Sequence, residues 1–321
     1  MIFKKLTLLL SLLGIAWSAH AQTLRIGYSD WPGWVAWEVG IEKGWFEEAD
    51  VDVAFEWFDY VSSMDAYAAG QLDAVCMTNG DALVTGATAR SSVMALINDF
   101  SNGNDMVVAV PGISSVAELA GKKVGVEIGF VGHLLLLKAL EKNGLSEDDV
   151  ELINVPTNET PLVLASGEVD AIVAWQPNSS QSLQMVPGSA AIYTSANDPG
   201  LIYDTLAIAP ESLNAAPAEW AKVHAVWYRI VAFITDPQTR GEALEIMAAR
   251  VGVSAAQYAL LMEGTQFLSE SEAKARYAGS SGFDSLKGST EVANAFNLKY
   301  KVYPEAQEST DYISAVLYQK P

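Results

Sequence analysis

Carboxylates and indoles gather in a few short segments of this chain, and basic side chains avoid those segments. The stretches 28–34, 57–63, 78–82, 99–105, 127–133, 155–160, 174–178 and 196–204 each follow an apolar, strand-like run. They hold Asp30, Asp59, Asp81, Asp99, Asp105, Glu127, Glu159, Asp198 and Asp204, together with Trp31, Trp34, Trp57, Tyr60, Trp175 and Tyr203. None of them contains Lys or Arg. Such a set suits the recognition of a small organic cation. Carboxylate oxygens accept its N–H groups in charge-assisted hydrogen bonds, and aromatic faces attract its positive charge. The same carboxylates repel an anion.

Group-transfer chemistry finds no comparable set. His133 and His224 lie far apart in the sequence, with no metal-ligand spacing around either. There is neither a G-x-S-x-G elbow nor a phosphate-binding P-loop. Gly279-Ser280-Ser281-Gly282 reads as a flexible loop. Cys76, the one cysteine, sits in the apolar run Ala74-Val75-Cys76-Met77 and can form no disulfide within the chain. The expectation is a binding protein with no catalytic residue, no metal and no cofactor.

The segments matter because of the elements that must position them. Residues 24–28, 51–55, 72–77, 93–97, 123–127, 150–155, 171–175 and 190–194 read as short strands. Helical periodicity occupies 34–46, 62–69, 81–87, 133–143 and 160–166 between them. Strands alternating with helices of this length predict an α/β fold with parallel pairing through crossover helices. In open α/β sheets a ligand binds beyond the C-terminal ends of the strands, where the acidic and aromatic segments fall.

An internal echo divides the chain. Ala68-Ala69-Gly70-Gln71-Leu72-Asp73-Ala74-Val75 is matched by Ala165-Ser166-Gly167-Glu168-Val169-Asp170-Ala171-Ile172, 97 residues later. Ile26-Gly27 and Val124-Gly125 match at an offset of 98. Each longer copy is a helix end, a glycine stop, a turn and a buried strand, so two lobes on one βαβ plan are expected. Asp73 and Asp170 then read as turn residues. Beyond Pro210 the pattern changes to amphipathic helices over 219–235, 240–251 and 254–262, which should pack on the first lobe. The first lobe is expected to span 22–108 plus 206–321 and the second 109–205. The chain would cross near 107–111 and return near 203–209, a two-crossing hinge around a cleft.

The first residues read as an address. Lys4 and Lys5 precede an apolar run to Trp17, and Ala19-His20-Ala21 supplies the small residues of a cleavage site. Residues 1–21 are therefore expected to be a removed secretory signal, leaving a monomer free in a bacterial periplasm. The formal net charge of −20 speaks against nucleic acid and anionic lipid as partners.

Several stretches resemble the nitrate/sulfonate/taurine-type family of ABC-transporter substrate-binding proteins. They are the opening strand with Ser29-Asp30, residues 40–53 (GIEKGWFEEADVDV), the 68–75 copy of the echo, and Asn79-Gly80-Asp81-Ala82. Residues 116–126 (VAELAGKKVGV) and 166–177 (SGEVDAIVAWQP) complete the set. The resemblance runs from about Leu24 to Glu211. It implies a two-lobed, type II-like periplasmic clamp with mixed sheets flanked by helices, handing a small molecule to an ATP-driven permease. Residues 28–46 (YSDWPGWVAWEVGIEKGWF), 76–88 (CMTNGDALVTGAT), 97–106 (INDFSNGNDM), 155–161 (VPTNETP) and Trp175-Gln176-Pro177-Asn178 look like a subgroup associated with urea-carboxylase gene clusters. The solute implied there is guanidinium or a related small nitrogenous compound.

The residues then expected to meet the solute are Asp30, Asp81 and Glu127 as charge partners, with Asp204 behind them. Trp31, Trp175 and Tyr203 are candidate walls, and Asn79 a hydrogen-bonding guide. Asp30 and Asp81 each precede an apolar helical stretch and serve equally well as N-caps. A neutral amide, or an anion such as taurine or nitrate held by helix N-termini, is the alternative cargo on the same fold.

Overall fold

The computed structural model describes residues 23–319, so the expected leader at 1–21 lies outside the described residues. The strands are β1 (Leu24–Tyr28), β2 (Val53–Trp57), β3 (Ala74–Thr78), β4 (Val93–Ser101), β5 (Met106–Ala109), β6 (Lys123–Val126), β7 (Glu151–Asn154), β8 (Ala171–Ala174), β9 (Ala190–Thr194), β10 (Tyr203–Ile208) and β11 (Thr265–Phe267). The helices begin with α1 (Pro32–Val35), α2 (Trp37–Glu42), α3 (Trp45–Glu48), α4 (Tyr60–Ala68), α5 (Asn79–Thr88), α6 (Val131–Lys142), α7 (Thr160–Ser166) and α8 (Asn178–Met185). They continue with α9 (Pro210–Ala215), α10 (Pro217–Thr235), α11 (Arg240–Val251), α12 (Ala255–Leu261), α13 (Glu270–Ala278) and α14 (Leu286–Lys299).

Two sheets form, in the orders β11-β4-β10-β3-β1-β2 and β7-β6-β8-β5-β9. Their plans coincide. In the first, β1 runs parallel to β2 and β3, and β10 lies antiparallel between β3 and β4. In the second, β6 runs parallel to β7 and β8, and β5 lies antiparallel between β8 and β9. The echo reaches single hydrogen bonds. Asp73 donates its N–H to Arg25 O and accepts the Arg25 N–H on Oδ2 at 2.9 Å. Asp170 does the same with Lys123, again at 2.9 Å to Oδ2. Gly70 and Gly167 end the preceding helices at φ values of 73° and 77°, where a side chain would be strained.

The antiparallel strands β5 and β10 overlap the stretches read from sequence as the two crossings. Both are largely buried, β10 with Asp204 and Thr205 among its residues, and each enters a sheet immediately after the chain changes lobes. The crossings themselves come earlier, at 102–105 and 195–202, and they are tied together. Ser101 and Ser195 hydroxyls meet at 2.7 Å, and Ser195 N–H donates to Asp105 O at 2.9 Å. The helix expected over 34–46 is three short ones, broken at Ala36 and again at Gly44, which takes φ 66°. The C-terminal region adds an edge strand, β11, that its helical periodicity did not announce.

That region packs on the first lobe. Trp227 of α10 meets Trp37 of α2 with ring centroids 4.4 Å apart. Gly40 lets α10 approach, since a Cβ there would come within 2.8 Å of Ile230. Alpha-14 lies against α5, with Ala293 facing Gly80.

Candidate functional site

A cleft of about 420 Å³ opens between the two sheets at the C-terminal ends of their parallel strands. The first lobe contributes Asp30 after β1 and Asp59, Tyr60, Val61 and Ser62 after β2. The second contributes Glu127, Ile128 and Phe130 after β6, Asn154 and residues 156–159 at the end of β7, and Trp175 and Asn178 after β8. Asp30, Asp59, Glu127 and Glu159 are the charged groups of this lining, and it includes no Lys, Arg or His.

The four acids differ in depth. Asp59 and Glu159 are exposed at the rim. Asp30 is half-buried, and desolvation pushes its carboxyl up to about 6, against weak hydrogen bonds that favour the ionised form. One of those comes across the cleft from Asn178 Nδ2, 3.5 Å from Asp30 Oδ2. The buried Trp175 indole N–H faces the same carboxyl without a full hydrogen-bond partner. Glu127 is pushed up to about 7, first by burial and then by the charge of Asp81, while Thr157 Oγ1 donates to it at 3.3 Å. Two carboxyls that resist ionising in an empty cleft are ready to ionise beside a cation.

Tyr60 links this lining to what lies behind it. Its ring meets Trp175 of the opposite lobe edge-on at 5.3 Å, and Trp34 stacks on it at 5.2 Å. Its hydroxyl donates to Asp81 Oδ2 at 2.6 Å and accepts the Thr78 N–H at 3.0 Å. Asp81 is therefore one layer behind the cleft, 2% exposed, with its carboxyl raised to about 6 by burial. Its own N–H is capped by Thr78 Oγ1, so Thr78 and not Asp81 is the N-cap of α5.

The structure brings Asp30, Glu127 and Trp175 together and places the other candidates elsewhere. The buried Trp31 indole turns from the cleft and donates to Asp99 Oδ1 at 3.1 Å. Asn79 stitches α5 to α14 and β10, donating to Ser289 Oγ at 2.9 Å and accepting the Tyr203 N–H at 3.1 Å. Tyr203 is fully buried in β10, its hydroxyl bound to Phe283 O at 2.7 Å. Asp204 faces Asp99 from the neighbouring strand, deep in the first sheet. Tyr203 and Asp204 begin a central strand, and a side chain there packs between strands instead of rimming a loop.

Asp99, Asp105 and Asp204 form a second, fully buried acid group near the hinge. Burial raises all three carboxyls, Asp99 to about 8 and Asp105 to about 7, and neighbouring carboxylate charge adds to it, from Asp105 on Asp99, from Asp81 on Asp105 and from Asp99, Asp105 and Asp81 on Asp204. Asp204 is pushed well above the ordinary carboxylate range, and its Oδ2 is buried without a hydrogen-bond partner. Among the described residues no group of three or more His, Cys, Asp or Glu is disposed to hold a metal ion.

Sequence reasoning counted Tyr60 in the aromatic set without selecting it, and passed over Phe130, Thr157 and Asn178 as site residues. Each stands in a segment after a strand, which was the available signal. Its weight comes only from the facing lobe.

The chain matches the family model described as "NMT1/THI5 like" over residues 32–239. A Brucella abortus (strain 2308) protein, named only provisionally as a binding protein, is 31% identical over 188 residues, 58% of this chain and 58% of that one. The chain thus aligns with little more than half the length of such curated relatives. Among solved structures, the alkanesulfonate-binding protein of Xanthomonas axonopodis pv. citri bound to MOPS superposes with a TM-score of 0.76 at 16% identity, covering 92% of this chain and 99% of that one. A desulfurization enzyme superposes with a TM-score of 0.62 at 14% identity, covering 92% of this chain and 97% of the enzyme. Binding and catalysis both occur on this fold.

Proposed function

The chain belongs to the NMT1/THI5-like family, and from that premise we propose that it is the periplasmic solute-binding protein of an ATP-driven importer, taking up a small cationic nitrogen compound, guanidinium first. One observation carries the choice of charge: the interlobe lining holds four carboxylates and no basic side chain. Guanidinium is planar, weakly hydrated and always charged, and its paired N–H groups match a carboxylate bidentately. Asp30 from one lobe and Glu127 from the other are its charge partners, and Trp175 and Tyr60 supply aromatic surface. The cleft is larger than a bare guanidinium ion requires, so the bound ion keeps water or the solute carries a small substituent.

The alkanesulfonate-binding neighbour favours a second reading, an anion held by backbone N–H groups. Alpha-6 opens on the cleft with no side-chain cap at Phe130. The Val131 N–H already points at the Asp81 carboxyl, however, and every charged group of the lining is an acid. A catalytic reading needs a nucleophile or an acid–base pair. Cys76 is fully buried in β3, its thiol raised by burial, and both His133 and His224 are buried away from the lining.

Thermal melting in the presence of guanidinium, urea, taurine and nitrate separates these readings. Ligand at about 100 times its dissociation constant stabilises the folded state by about 2.7 kcal/mol. Guanidinium is expected to raise the melting temperature while taurine and nitrate leave it unchanged. A rise with taurine and none with guanidinium would overturn the assignment of charge.

A further inference from the structure

Residues 127–130, which bring Glu127 to the cleft, join β6 to α6 and are held by two side chains, Asn154 of the cleft lining and His133 behind it. The Ile128 N–H donates to Asn154 Oδ1 at 3.0 Å, and the Gly129 N–H donates to His133 Nδ1 at 3.3 Å. Gly129 takes φ 91°, so the turn is folded into a conformation that side chains avoid. His133 is the third residue of α6, whose N-cap position offers no side-chain cap. In a capping box the third residue, usually Glu or Gln, accepts the N–H of the N-cap residue; His133 reaches one residue further back, past the N-cap Phe130 to Gly129. Here an imidazole fills the role. Unlike an amide, it stops accepting once protonated.

The surroundings of His133 place it at a seam between the lobes. It is 3% exposed, and its Nε2 stands 3.3 Å from Glu147 Oε1. From the first lobe, α14 presents Phe296 edge-on at 5.7 Å and Tyr300 just beyond its end at 6.1 Å. The other charged group on that face, Lys299, pairs with Glu141 of α6, which the Tyr300 hydroxyl also approaches. Glu147 is thus the one ionisable group in direct contact with the imidazole's free nitrogen. Burial holds the imidazole below the ordinary histidine range, with Glu147 opposing it.

We propose that His133 is a positioning residue of the solute site: as a neutral imidazole its Nδ1 fixes the Gly129 N–H, and with it the turn that carries Glu127 and Phe130 into the cleft, and protonation releases that turn. The claim that this turn serves a bound cation rests on the function proposed above.

Two variants and two readouts test it. His133→Gln keeps an acceptor that cannot titrate, and His133→Ala removes it. Hydrogen exchange of the 127–134 segment in the ligand-free protein is followed at about pH 7.5 and about pH 4.5, alongside guanidinium affinity, because burial sets His133 below the ordinary histidine range of about 6.5. Wild type is expected to lose roughly tenfold more protection on acidification than His133→Gln, which otherwise binds guanidinium within about twofold of wild type at the higher pH. His133→Ala is expected to exchange this segment roughly tenfold faster than His133→Gln at both values, and faster than wild type only at the higher pH. Parallel loss in wild type and His133→Gln, or wild-type exchange in His133→Ala at the higher pH, would overturn the proposal. Exchange needs no ligand, so a protein that ignores guanidinium yet shows these differences defeats the assignment of solute and spares the role of His133.

Discussion

Replacing Asp30 by Asn and Glu127 by Gln together is expected to weaken guanidinium binding about a thousandfold, because each charge-assisted hydrogen bond is worth roughly 1.5–3 kcal/mol. The amides keep the shape of the cleft and lose its charge. Folding should not suffer. Burial already opposes ionisation of both carboxyls, so neutral replacements remove an unfavourable charge from the empty protein. The double variant should therefore melt no lower than wild type while failing to bind. Asp59→Asn and Glu159→Gln, at the exposed rim, should change the association rate and its salt dependence more than the affinity. Calorimetry measures the affinities, and stopped-flow binding at two salt concentrations measures the association rates. A double variant that binds as wild type would show that the solute meets neither carboxylate.

The buried acids near the hinge give the second large effect. Asp99, Asp105 and Asp204 hold protons in the folded chain that they release on unfolding at neutral pH, because burial and neighbouring carboxylate charge raise them. Their contribution to stability is thus fully present below about pH 4, the range of an unfolded carboxyl, and is lost as pH rises toward about 8. Each proton so retained lowers stability by about 1.4 kcal/mol per pH unit across that window. The ligand-free protein is expected to melt higher at about pH 5 than at about pH 8. Asp204→Asn cannot ionise and keeps the size of the side chain opposite Asp99. It should flatten that slope and gain roughly 1–3 kcal/mol at the higher pH. Urea unfolding across the range measures it. Stability that rises from pH 5 to pH 8, or an Asn variant less stable than wild type at pH 8, would mean that these carboxyls are ionised in the folded state.

Much of the architecture could be read from local pattern. The glycine stop and the aspartate that follows it recur at Gly70–Asp73 and Gly167–Asp170 because each lobe needs the same turn, closed by the same pair of backbone bonds. The rule that ligands bind at strand ends selected the segments holding Asp30, Glu127 and Trp175, which line the cleft. Strands β5 and β10 escaped because nothing in a short apolar run says which lobe it will join. Each pairs with strands distant in sequence, after the chain has changed lobes. Misreading β10 as a loop also misplaced Tyr203 and Asp204. Asp81 was misjudged for a subtler reason. The residue before it in space is Tyr60, about twenty positions upstream, and only the packed structure shows the phenol standing between that carboxylate and the cleft.

Titration calorimetry of guanidinium and of taurine near pH 6.5, in two buffers of different ionisation enthalpy, tests most directly whether the cleft selects positive charge. Asp30 and Glu127 are partly protonated there while the cleft is empty, so guanidinium should bind and drive protons into the buffer, and taurine should give no heat of binding. Taurine bound with uptake of protons, and guanidinium not bound, would contradict the account.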